Sequence, residues 1–505
     1  MPPTFRTLRP LHFAVVLWVS GCGGGGGSES VVDSAKNLAQ LCTAGSLYAV
    51  DAVEPTRVGT YRDEQNWINA YLTERYLWYR DMPRNVSPSD AAYNLISPDG
   101  SFFYYGSSIS AYFGALLNPN TRPSGKKVDA FSFLTPTFYW NRFVNSQEIG
   151  YGFNVSQASG AGVGNIYISY VYPGSNGQRT GFLRGDQIVR IDGIAATDSN
   201  TQNLAAFYDA LNPSANETHT FELNRNGNPM TLTATSGVET LKQVESQILN
   251  FGGRKVGYLL FNSHVPNALP DLAAATNAFK QNNIDDMVLD LRYNGGGYLS
   301  VASGIAYAIA GAAATSGKVF DNLIYNDKRT RDNYAFPFIS APDTGVEMPS
   351  LGMRRVTVLA SRNTCSASEA LANGLRGVGV DVQLIGEATC GKPYGYSAQD
   401  NCGVTYAAME FIGNNALGVS VSPDGLAPTC DVSDDLNHPL GDSHESMLSV
   451  ALYMQQGQSC SQAKVSSALA SAGLHGLATP QAGKLIRPDW KNNQFRDGGA
   501  RPRGN

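Results

Sequence analysis

The chain has 505 residues, of which 42% are hydrophobic and 16% are charged, and it contains 53 glycines and 25 prolines. This length exceeds one ordinary core and predicts roughly two to four domains, while the composition excludes a disordered chain. The 37 basic and 42 acidic residues give a net charge of −5. This balance argues against nucleic acid as a partner and against electrostatic binding to a membrane.

The N-terminal segment has the order of a secretory signal. Arg6 and Arg9 precede a short apolar run at 11–19. Because small residues and Cys22 follow, the segment resembles the lipobox of bacterial lipoproteins, which implies cleavage before Cys22 and lipid on its sulfur. A plain signal peptide with an incidental cysteine is the alternative. We expect an exported chain in the bacterial cell envelope, facing the periplasm, whose membrane contact is the lipid and whose glycine-rich segment 23–30 is a tether.

Six cysteines remain without Cys22, and an even number favours disulfides in an exported protein. They are Cys42, Cys365, Cys390, Cys402, Cys430 and Cys460. The sequence contains neither a CxxC nor an HExxH motif, so we expect no metal site and no cofactor.

The first third of the mature chain is predicted to be helical from residue 36 to about 120. An aromatic and aliphatic stripe at helical spacing predicts a buried face, formed by Trp67, Ile68, Tyr71, Leu72, Tyr76 and Tyr79. Pro83 is expected to end this helix. From 150 to about 235 the pattern changes to short strands, such as 166–171 and 187–191, and Asp192-Gly193 is a turn signal.

From about residue 239, apolar strands alternate with helices, which predicts an α/β domain with buried, largely parallel strands. The predicted strands are 256–261, 287–291, 356–360 and 380–385, and the predicted helices are 271–282, 300–310 and 366–376. After Cys460 the chain is rich in Ala, Ser and Gly and then polar. We interpret this part as a loosely attached extension.

Ser366 lies between a predicted strand and a predicted helix. Backbone N–H groups and the helix dipole favour negative charge there, which suits a nucleophile whose attack creates an oxyanion. However, Ser366 and Glu369 also fit a helix capping box. Taken alone, this segment favours the cap.

Lys392 ends the segment GEATCGK at 386–392, directly after the next predicted strand. The segment nearly matches a phosphate-binding loop, but Pro393 stands where Ser or Thr would bind magnesium, so nucleotide binding is not expected. If strands 356–360 and 380–385 are parallel neighbours, Lys392 lies at the same sheet edge as Ser366. A lysine in apolar surroundings can lose its proton and act as a general base; a surface lysine in a turn is the alternative.

Three glycines at 295–297 follow the strand 287–291. They permit close backbone approach and unusual backbone angles, so that their N–H groups can point at a developing oxyanion. A purely structural turn is equally consistent with this segment.

Together, DLRYNGGG at 290–297, SASE at 366–369 and GEATCGK at 386–392 resemble the carboxyl-terminal processing (tail-specific) protease family over residues 239–455. The order and spacing of the three motifs carry the resemblance. It implies an α/β protease domain with a crotonase/ClpP-like core and a Ser/Lys dyad. By motif position, Ser366 would be the nucleophile, Lys392 the base, and Ala367 and Gly297 the donors of the oxyanion hole.

The family also has a PDZ domain before the protease domain. Gly150, Tyr151, Gly152 and Phe153 resemble its carboxylate-binding loop, and residues 181–188 resemble its later glycine–aspartate turn. The resemblance implies a groove that takes up a peptide as an added strand and holds its terminal carboxylate beside an apolar wall. The expected partners are therefore protein or peptide substrates with exposed apolar C-termini.

The chain departs from the family at Tyr396, where many members have a glutamine that orients the lysine. Tyr396 or Gln399 is the candidate replacement; if neither orients Lys392, the dyad is less efficient. A histidine-based triad is not favoured, and we interpret His438 and His444 as solvated or satisfied in the core.

Cys365 precedes the candidate nucleophile by one residue, and Cys390 precedes the candidate base by two. We therefore predict a disulfide between them that would pin the dyad. We also predict Cys402–Cys430, which leaves Cys42 with Cys460.

The predicted function is that of an exported, lipid-anchored serine endopeptidase that cleaves protein substrates near their C-termini. The alternative is a catalytically weak or inactive peptide-binding scaffold that keeps the PDZ groove. The oligomeric state stays open, including a homo-oligomer. The predicted domains are the signal at 1–21, the tether at 22–35, an N-terminal helical domain at 36–148, the PDZ domain at 149–238, the protease domain at 239–462 and the extension at 463–505.

Overall fold

The computed structural model describes residues 34–44, 46, 48–86, 102–158, 165–342, 345–471, 482–486 and 496–497. The predicted signal and the lipidated Cys22 lie outside these residues. Within the described ranges, no helix combines the length and the apolar character that crossing a membrane requires.

The N-terminal region contains two long helices and several short elements. They are α1 (Ala35–Leu38), β1 (Leu41–Thr43), β2 (Arg57–Gly59), α2 (Tyr61–Arg75), α3 (Phe102–Leu116), β3 (Phe133–Pro136) and α4 (Thr137–Val144). A capping box opens α2, since the Thr60 N–H donates to Asp63 Oδ2 at 2.7 Å. The helix ends at Arg75, so the prediction that it runs to Pro83 was wrong. The chain leaves the helix because the Leu77 N–H donates to the carbonyl of Met409 at 2.7 Å.

The N-terminal region shares its core with residues of the later α/β region. Strand β3 pairs antiparallel with 404–407, and Cys42 lies at disulfide distance from Cys402, with Cα atoms 5.4 Å apart. The predicted stripe is buried around Tyr71, where it packs against Tyr406. The N-terminal region therefore packs directly on residues 404–408 of the later α/β region.

The middle region, residues 147–240, is built mainly on an antiparallel sheet. Its elements are β4 (Gln147–Gly150), β5 (Phe153–Ala158), β6 (Ile166–Val171), α5 (Asn176–Thr180), β7 (Gln187–Ile191), β8 (Ile194–Ala195), α6 (Thr201–Leu211), β9 (Thr218–Arg225), β10 (Asn228–Thr235) and β11 (Gly237–Thr240). The strand order is β10-β9-β7-β6-β5, with β8 beside β7. Strands β6 and β7 have the predicted bounds. The predicted turn is present, because Asp192 and Gly193 both have positive φ angles.

The α/β region follows, and its central sheet confirms the predicted largely parallel arrangement. Its elements up to β19 are β12 (Val244–Phe251), β13 (Arg254–Phe261), α7 (Leu269–Gln281), β14 (Asp286–Asp290), β15 (Gly297–Tyr298), α8 (Leu299–Ala310), α9 (Ala312–Thr315), β16 (Val319–Tyr325), β17 (Tyr334–Pro337), β18 (Arg355–Ala360), α10 (Ala367–Gly377) and β19 (Asp381–Gly386).

Further elements complete the α/β region and the C-terminal part. They are β20 (Tyr394–Gly395), β21 (Gln399–Asn401), β22 (Val404–Ala407), β23 (Phe411–Asn414), β24 (Cys430–Asp431), α11 (Ser446–Gln455), α12 (Cys460–Ser471), β25 (Ala482–Ile486) and β26 (Arg496–Asp497). The central sheet has the order β12-β13-β14-β18-β19-β24 and is parallel except for β12. Smaller sheets have the orders β17-β16-β23-β20 and β21-β22-β3.

The C-terminal extension is not loosely attached throughout, which corrects the prediction. Strand β25 pairs antiparallel with β5 at the edge of the middle sheet, and β26 pairs parallel with β15. Composition misled the prediction because strand addition uses backbone groups, which an Ala-, Ser- and Gly-rich segment also has.

Candidate active site

Ser366 lies where the chain leaves β18 and enters α10. It is the N-cap residue of the helix, it is completely buried, and its φ and ψ angles are 60° and −111°. A positive φ is costly for a residue with a side chain and is typical of functional sites. Among the described residues, Ser366 Oγ has no hydrogen-bond partner. The side-chain half of the capping box is therefore not made, and the hydroxyl stays available for other chemistry.

Glu369, one turn into α10, is completely buried and binds the two loops that carry Ser366 and Lys392. Its Oε2 accepts from the N–H of Ser366 at 2.8 Å and from the N–H of Lys392 at 2.9 Å. Its Oε1 accepts from the Thr389 hydroxyl at 2.5 Å and from the Gly391 N–H at 2.9 Å. One carboxylate thus fixes the backbone of both loops.

The charge state of Glu369 follows from its partners. Burial raises the pKa of its carboxyl above the ordinary value, and the hydrogen bonds oppose this rise. Thr389 Oγ1 accepts from the Leu426 N–H at 2.7 Å, so its own hydrogen points at Glu369. All four partners are therefore donors, and a protonated carboxyl would turn its hydrogen toward one of them. The arrangement fits the ionised carboxylate.

Lys392 follows β19, which is the direct parallel neighbour of β18, so the condition under which Lys392 and Ser366 share a sheet edge is met. Its side chain is completely buried, and Nζ lies 5.4 Å from the ring centre of Phe131 and 5.3 Å from that of Tyr396. The surface-lysine alternative is therefore wrong. The structure brings the Ser366 and Lys392 loops to the same sheet edge.

A disulfide joins these two loops. Cys365 and Cys390 lie at bonding distance, with Cα atoms 5.2 Å apart, which confirms this predicted pair. The predicted pairs Cys402–Cys430 and Cys42–Cys460 were wrong. Cys402 bonds Cys42 on β1. The segments are joined there because the Cys402 N–H donates to Gln40 Oε1 at 2.9 Å and the Gln40 N–H donates to Asn401 Oδ1 at 2.7 Å. Cys430 in β24 bonds Cys460, the first residue of α12, with Cα atoms 5.5 Å apart.

Tyr396, rather than Gln399, contacts Lys392. The Tyr396 side chain is completely buried, with its ring beside Lys392 Nζ, whereas the Gln399 amide donates to the carbonyl of Ala398 at 2.9 Å. Phe131, which sequence reasoning missed, covers Lys392 from the N-terminal region. No local signal marks it, because its approach depends on the pairing of β3 with β22.

The glycine segment adopts the backbone angles expected of it. Gly296 and Gly297 have φ angles of 114° and 145°. A Cβ on Gly297 would lie 2.2 Å from the carbonyl oxygen of His264, so a side chain does not fit. The carbonyl of Asn294 accepts from the Cys365 N–H at 3.1 Å, which ties the glycine segment to the Ser366 loop. Ala367 is the first residue of α10, where helix N–H groups lack an intrahelical acceptor.

His264 is a second residue that sequence reasoning did not single out. Its Nδ1 lies 3.1 Å from Asn294 Oδ1, and Asn294 Nδ2 donates to the Phe261 carbonyl at 2.9 Å. The Asn294 oxygen is therefore the acceptor, and Nδ1 of His264 carries the hydrogen. Burial lowers the pKa of His264 from 6.5 to about 4, so the ring is neutral near pH 7.

The two histidines that the sequence analysis weighed have local acidic neighbours. Nδ1 of His438 lies 2.6 Å from Asp435, and Nδ1 of His444 lies 2.9 Å from Asp442. Both pairs are formed within one turn of the chain, which fits the satisfied histidines that we expected.

A buried charge network connects the glycine segment to the middle region. Arg292 is completely buried and binds Asp290 at 2.9 Å, Asp434 at 2.6 Å and Glu445 at 2.8 Å. Arg184, from the middle region, also binds Asp434 at 2.6 Å. Burial would raise the pKa of Asp434, but the two guanidinium groups lower it to about 2.

Residues 150–153 run from the last residue of β4 to the first residue of β5, and they lie partly in the core. Tyr151 and Phe153 stack with ring centres 5.3 Å apart, and the exposed fraction of Phe153 is 9%. Gly152 has a φ of 75°, and a Cβ there would lie 2.3 Å from that of Ser175. Phe153 lines a cavity together with Leu211 and Ile486. The expected apolar wall is therefore also a core residue, and β25 of the same chain already reaches the cavity.

Comparisons with known proteins find two domains of one peptidase family in the chain. Residues 255–412 match the sequence profile of Peptidase family S41, and residues 63–133 match the Peptidase S41 N-terminal domain. The chain carries the domains of peptidase family S41. The glycine segment, Ser366 and Lys392 all lie within the first S41 match.

Curated relatives of the S41 domain are carboxyl-terminal-processing proteases. One from Picosynechococcus sp. is 28% identical over 220 residues, which cover 44% of this chain and 49% of the relative. Carboxyl-terminal-processing peptidase 2, chloroplastic, from Arabidopsis thaliana is 29% identical over 294 residues, or 56% of this chain and 52% of the relative. The chain thus spans about half the length of these curated relatives.

A solved structure shows the same fold. The crystal structure of a candidate S41 protease from Bacteroides fragilis superposes with a TM-score of 0.59 at 24% identity and covers 77% of this chain and 97% of that one. The α/β architecture around Ser366 is therefore that of an S41 protease fold.

Proposed function

We propose that this chain is an exported, lipid-anchored serine endopeptidase that cleaves proteins near their C-termini with Ser366 and Lys392 as a dyad. The Glu369 carboxylate is the observation that carries the proposal. It holds the backbone of both loops from one buried position, beside a serine with a strained backbone and a free hydroxyl. A peptide-binding scaffold needs neither feature.

In the proposed reaction, neutral Lys392 removes the proton from Ser366 Oγ as the oxygen attacks the carbonyl carbon of the scissile bond. The N–H groups of Ala367 and Gly297 donate to the oxyanion that forms. The Lys392 ammonium then gives its proton to the leaving amine, and an acyl-enzyme on Ser366 results. Lys392 next takes a proton from water, whose oxygen attacks the ester carbonyl carbon. The C–O bond to Ser366 then breaks, the Lys392 ammonium returns its proton to Ser366 Oγ, and the acid product leaves. Complete burial supports this scheme, because an apolar environment disfavours a charged amine.

The middle region is, in this proposal, a PDZ domain that selects substrates by an apolar C-terminus. The strand β5, the helix α6 and the cavity lined by Phe153 and Leu211 support it, because a PDZ groove lies between such a strand and helix. Cys22 would carry the lipid that places the enzyme on the periplasmic side of the cell envelope. The reaction uses side chains, backbone and water alone, without a cofactor.

The test compares an unfolded substrate with an apolar tail and its C-terminally amidated twin. Wild type should cleave the free acid several-fold faster than the amide, since amidation removes the charge that the groove binds. Ser366→Ala should cleave neither while keeping the wild-type melting temperature, because Ser366 Oγ makes no cap bond whose loss would weaken the fold. Residual turnover above about a tenth of wild type would reject Ser366 as the nucleophile, since removing a nucleophile costs far more.

A further inference from the structure

The edge of the middle sheet is occupied by the chain's own C-terminal part. Strand β25 pairs antiparallel with β5, with Ala482 opposite Ala158 and Ile486 opposite Val155. Since β5 begins at Phe153, the tail runs with its C-terminal end toward the loop 150–153. A peptide ligand of the proposed PDZ groove would add to the same edge.

Side chains and backbone groups hold this segment in place. Leu485 is 2% exposed, and the Ala482 N–H donates to the carbonyl of Asp434 at 3.2 Å. Asn363 Nδ2 donates to the Gly483 carbonyl at 3.3 Å. Asn363 lies on the Ser366 loop, so β25 contacts the middle region and the candidate catalytic loop at once.

Ile486 reaches the cavity that the proposed groove needs for an apolar side chain. It lines that cavity together with Phe153 and Leu211 and packs on the core of the middle region. The tail therefore presents an apolar residue where the last residue of a substrate would go.

The same tail also lies beside the candidate oxyanion hole. Strand β26 pairs parallel with β15, with Arg496 opposite Gly297 and Asp497 opposite Tyr298. Residues 482–486 and 496–497 thus pair with the edge of β5 and with the strand of Gly297, which are the two places that a bound substrate must reach.

We propose that β25 and β26 together form an internal competitor that occupies the substrate path and lowers the apparent affinity for free substrates. This inference rests on the proposed function for the identity of the path, and on β25 and β26 for its occupant. Strand pairing uses backbone hydrogen bonds and depends little on the side chains, so any extended tail can take the place of β25. A tethered competitor acts at an effective concentration on the order of 1 mM, so weak contacts suffice.

The test measures binding separately from cleavage. The experiment uses Ser366→Ala chains and a fluorescent unfolded peptide with a free apolar C-terminus. The double variant Leu485→Asp and Ile486→Asp should bind this peptide at least about fivefold more tightly than the Ser366→Ala chain with an unchanged tail does. Leu469→Asp is the matched control, because Leu469 lies on α12 and is 72% exposed, and it should change nothing. With Ser366 restored, the double variant should lower KM more than it changes kcat.

A second experiment distinguishes release of the tail from misfolding of the double variant. A chain that ends after Ser471 should show the same gain in affinity, and a synthetic peptide of residues 482–500 should reverse it by competition, whereas a scrambled peptide should not. Equal affinity of the full and shortened chains would overturn the inference. Tighter binding without the tail in a chain that cleaves nothing would support the inference and reject the proposed protease; cleavage with an unchanged KM would reject the inference alone.

Discussion

The sheet edge that carries Ser366 and Lys392 and the contact between the middle and α/β regions are held by different forces. At the sheet edge, one disulfide and four donors to Glu369 join loops that are close in sequence. At the regional contact, Arg184 reaches across to Asp434. The first set of links contains a covalent bond and a single carboxylate that serves both loops, and the second consists of buried ion pairs and an added strand.

This difference separates the two tasks that we propose for the chain. A dyad needs its backbone fixed within a fraction of an ångström, which short-range links provide. A groove that exchanges its own tail for a substrate needs contacts that can be replaced, which ion pairs and strand pairing allow. Variants of the first set should therefore change kcat, and variants of the second should change KM.

Lys392→Arg should have the largest effect and be as inactive as Lys392→Ala. Arginine keeps the positive charge but cannot lose its proton at accessible pH, so it cannot act as the base. Casein turnover gives the measurement, and Lys318→Arg on an exposed position is the control. An active Lys392→Arg enzyme would mean that the lysine is structural and would remove the kinetic contrast between the two regions.

Glu369→Gln should lower kcat about 100-fold and destabilise the fold by about 3 kcal/mol. Glutamine offers one oxygen to the four donors, and its NH₂ would face two of them, which leaves buried donors unsatisfied. Glu387→Gln, on the loop that carries Lys392, is the matched control, since Glu387 pairs with the exposed Arg362, and it should cost less than about 1 kcal/mol. Equal effects of the two substitutions would contradict the role of Glu369 in fixing the loops.

Arg184→Met should raise KM about tenfold and leave kcat within about a factor of two. It removes one of the two guanidinium groups on Asp434 while Arg292 remains, so the glycine segment keeps its charge network. Arg179→Met, which removes an exposed arginine 3.9 Å from Glu239, should leave both parameters unchanged. A fall in kcat with constant KM would show that the regional contact is part of the catalytic frame.

His264 should make the fold sensitive to acid, with no effect on stability near pH 7. Its pKa in the folded chain is about 4, below its ordinary value of 6.5, so the unfolded chain takes up a proton first as the pH falls. Stability should therefore be lost between pH 6.5 and 4, by about 3 kcal/mol in total. Urea unfolding along this range measures it. His264→Gln should flatten this part of the profile, while the exposed His444→Gln should not; identical profiles would contradict the burial effect.

Several parts of the fold could be predicted because local patterns determine them. The predicted strands at 166–171 and 187–191 are β6 and β7 with the same bounds. A short run of strand-favouring residues between turn residues rarely forms another kind of structure. The alternation of strands and helices after 239 predicted a largely parallel sheet, and in the structure β18 and β19 are neighbours in it. That pairing was enough to place Ser366 and Lys392 at one edge.

Other features depend on contacts between distant segments, which a single sequence does not display. The residue types at positions 366 and 369 fit a capping box. They do not reveal that Glu369 also binds residues 389–392, which are distant in sequence. The early end of α2 follows from a hydrogen bond to Met409. The position of Phe131 over Lys392 follows from the pairing of β3 with β22. The unexpected bond of Cys402 accompanies the hydrogen bonds that join Gln40 to Asn401 and Cys402.

The bond between Cys42 and Cys402 has a consequence for biosynthesis. Its partners are 360 residues apart, whereas the other two bonds close loops of 25 and 30 residues. At about 5 to 20 residues per second, translation produces Cys42 roughly 20 to 70 s before Cys402. Cys365 and Cys390 are made in between, so the first available partner of Cys42 is a wrong one. Correct assembly therefore depends on early closure of the Cys365–Cys390 loop or on slow reshuffling by an isomerase.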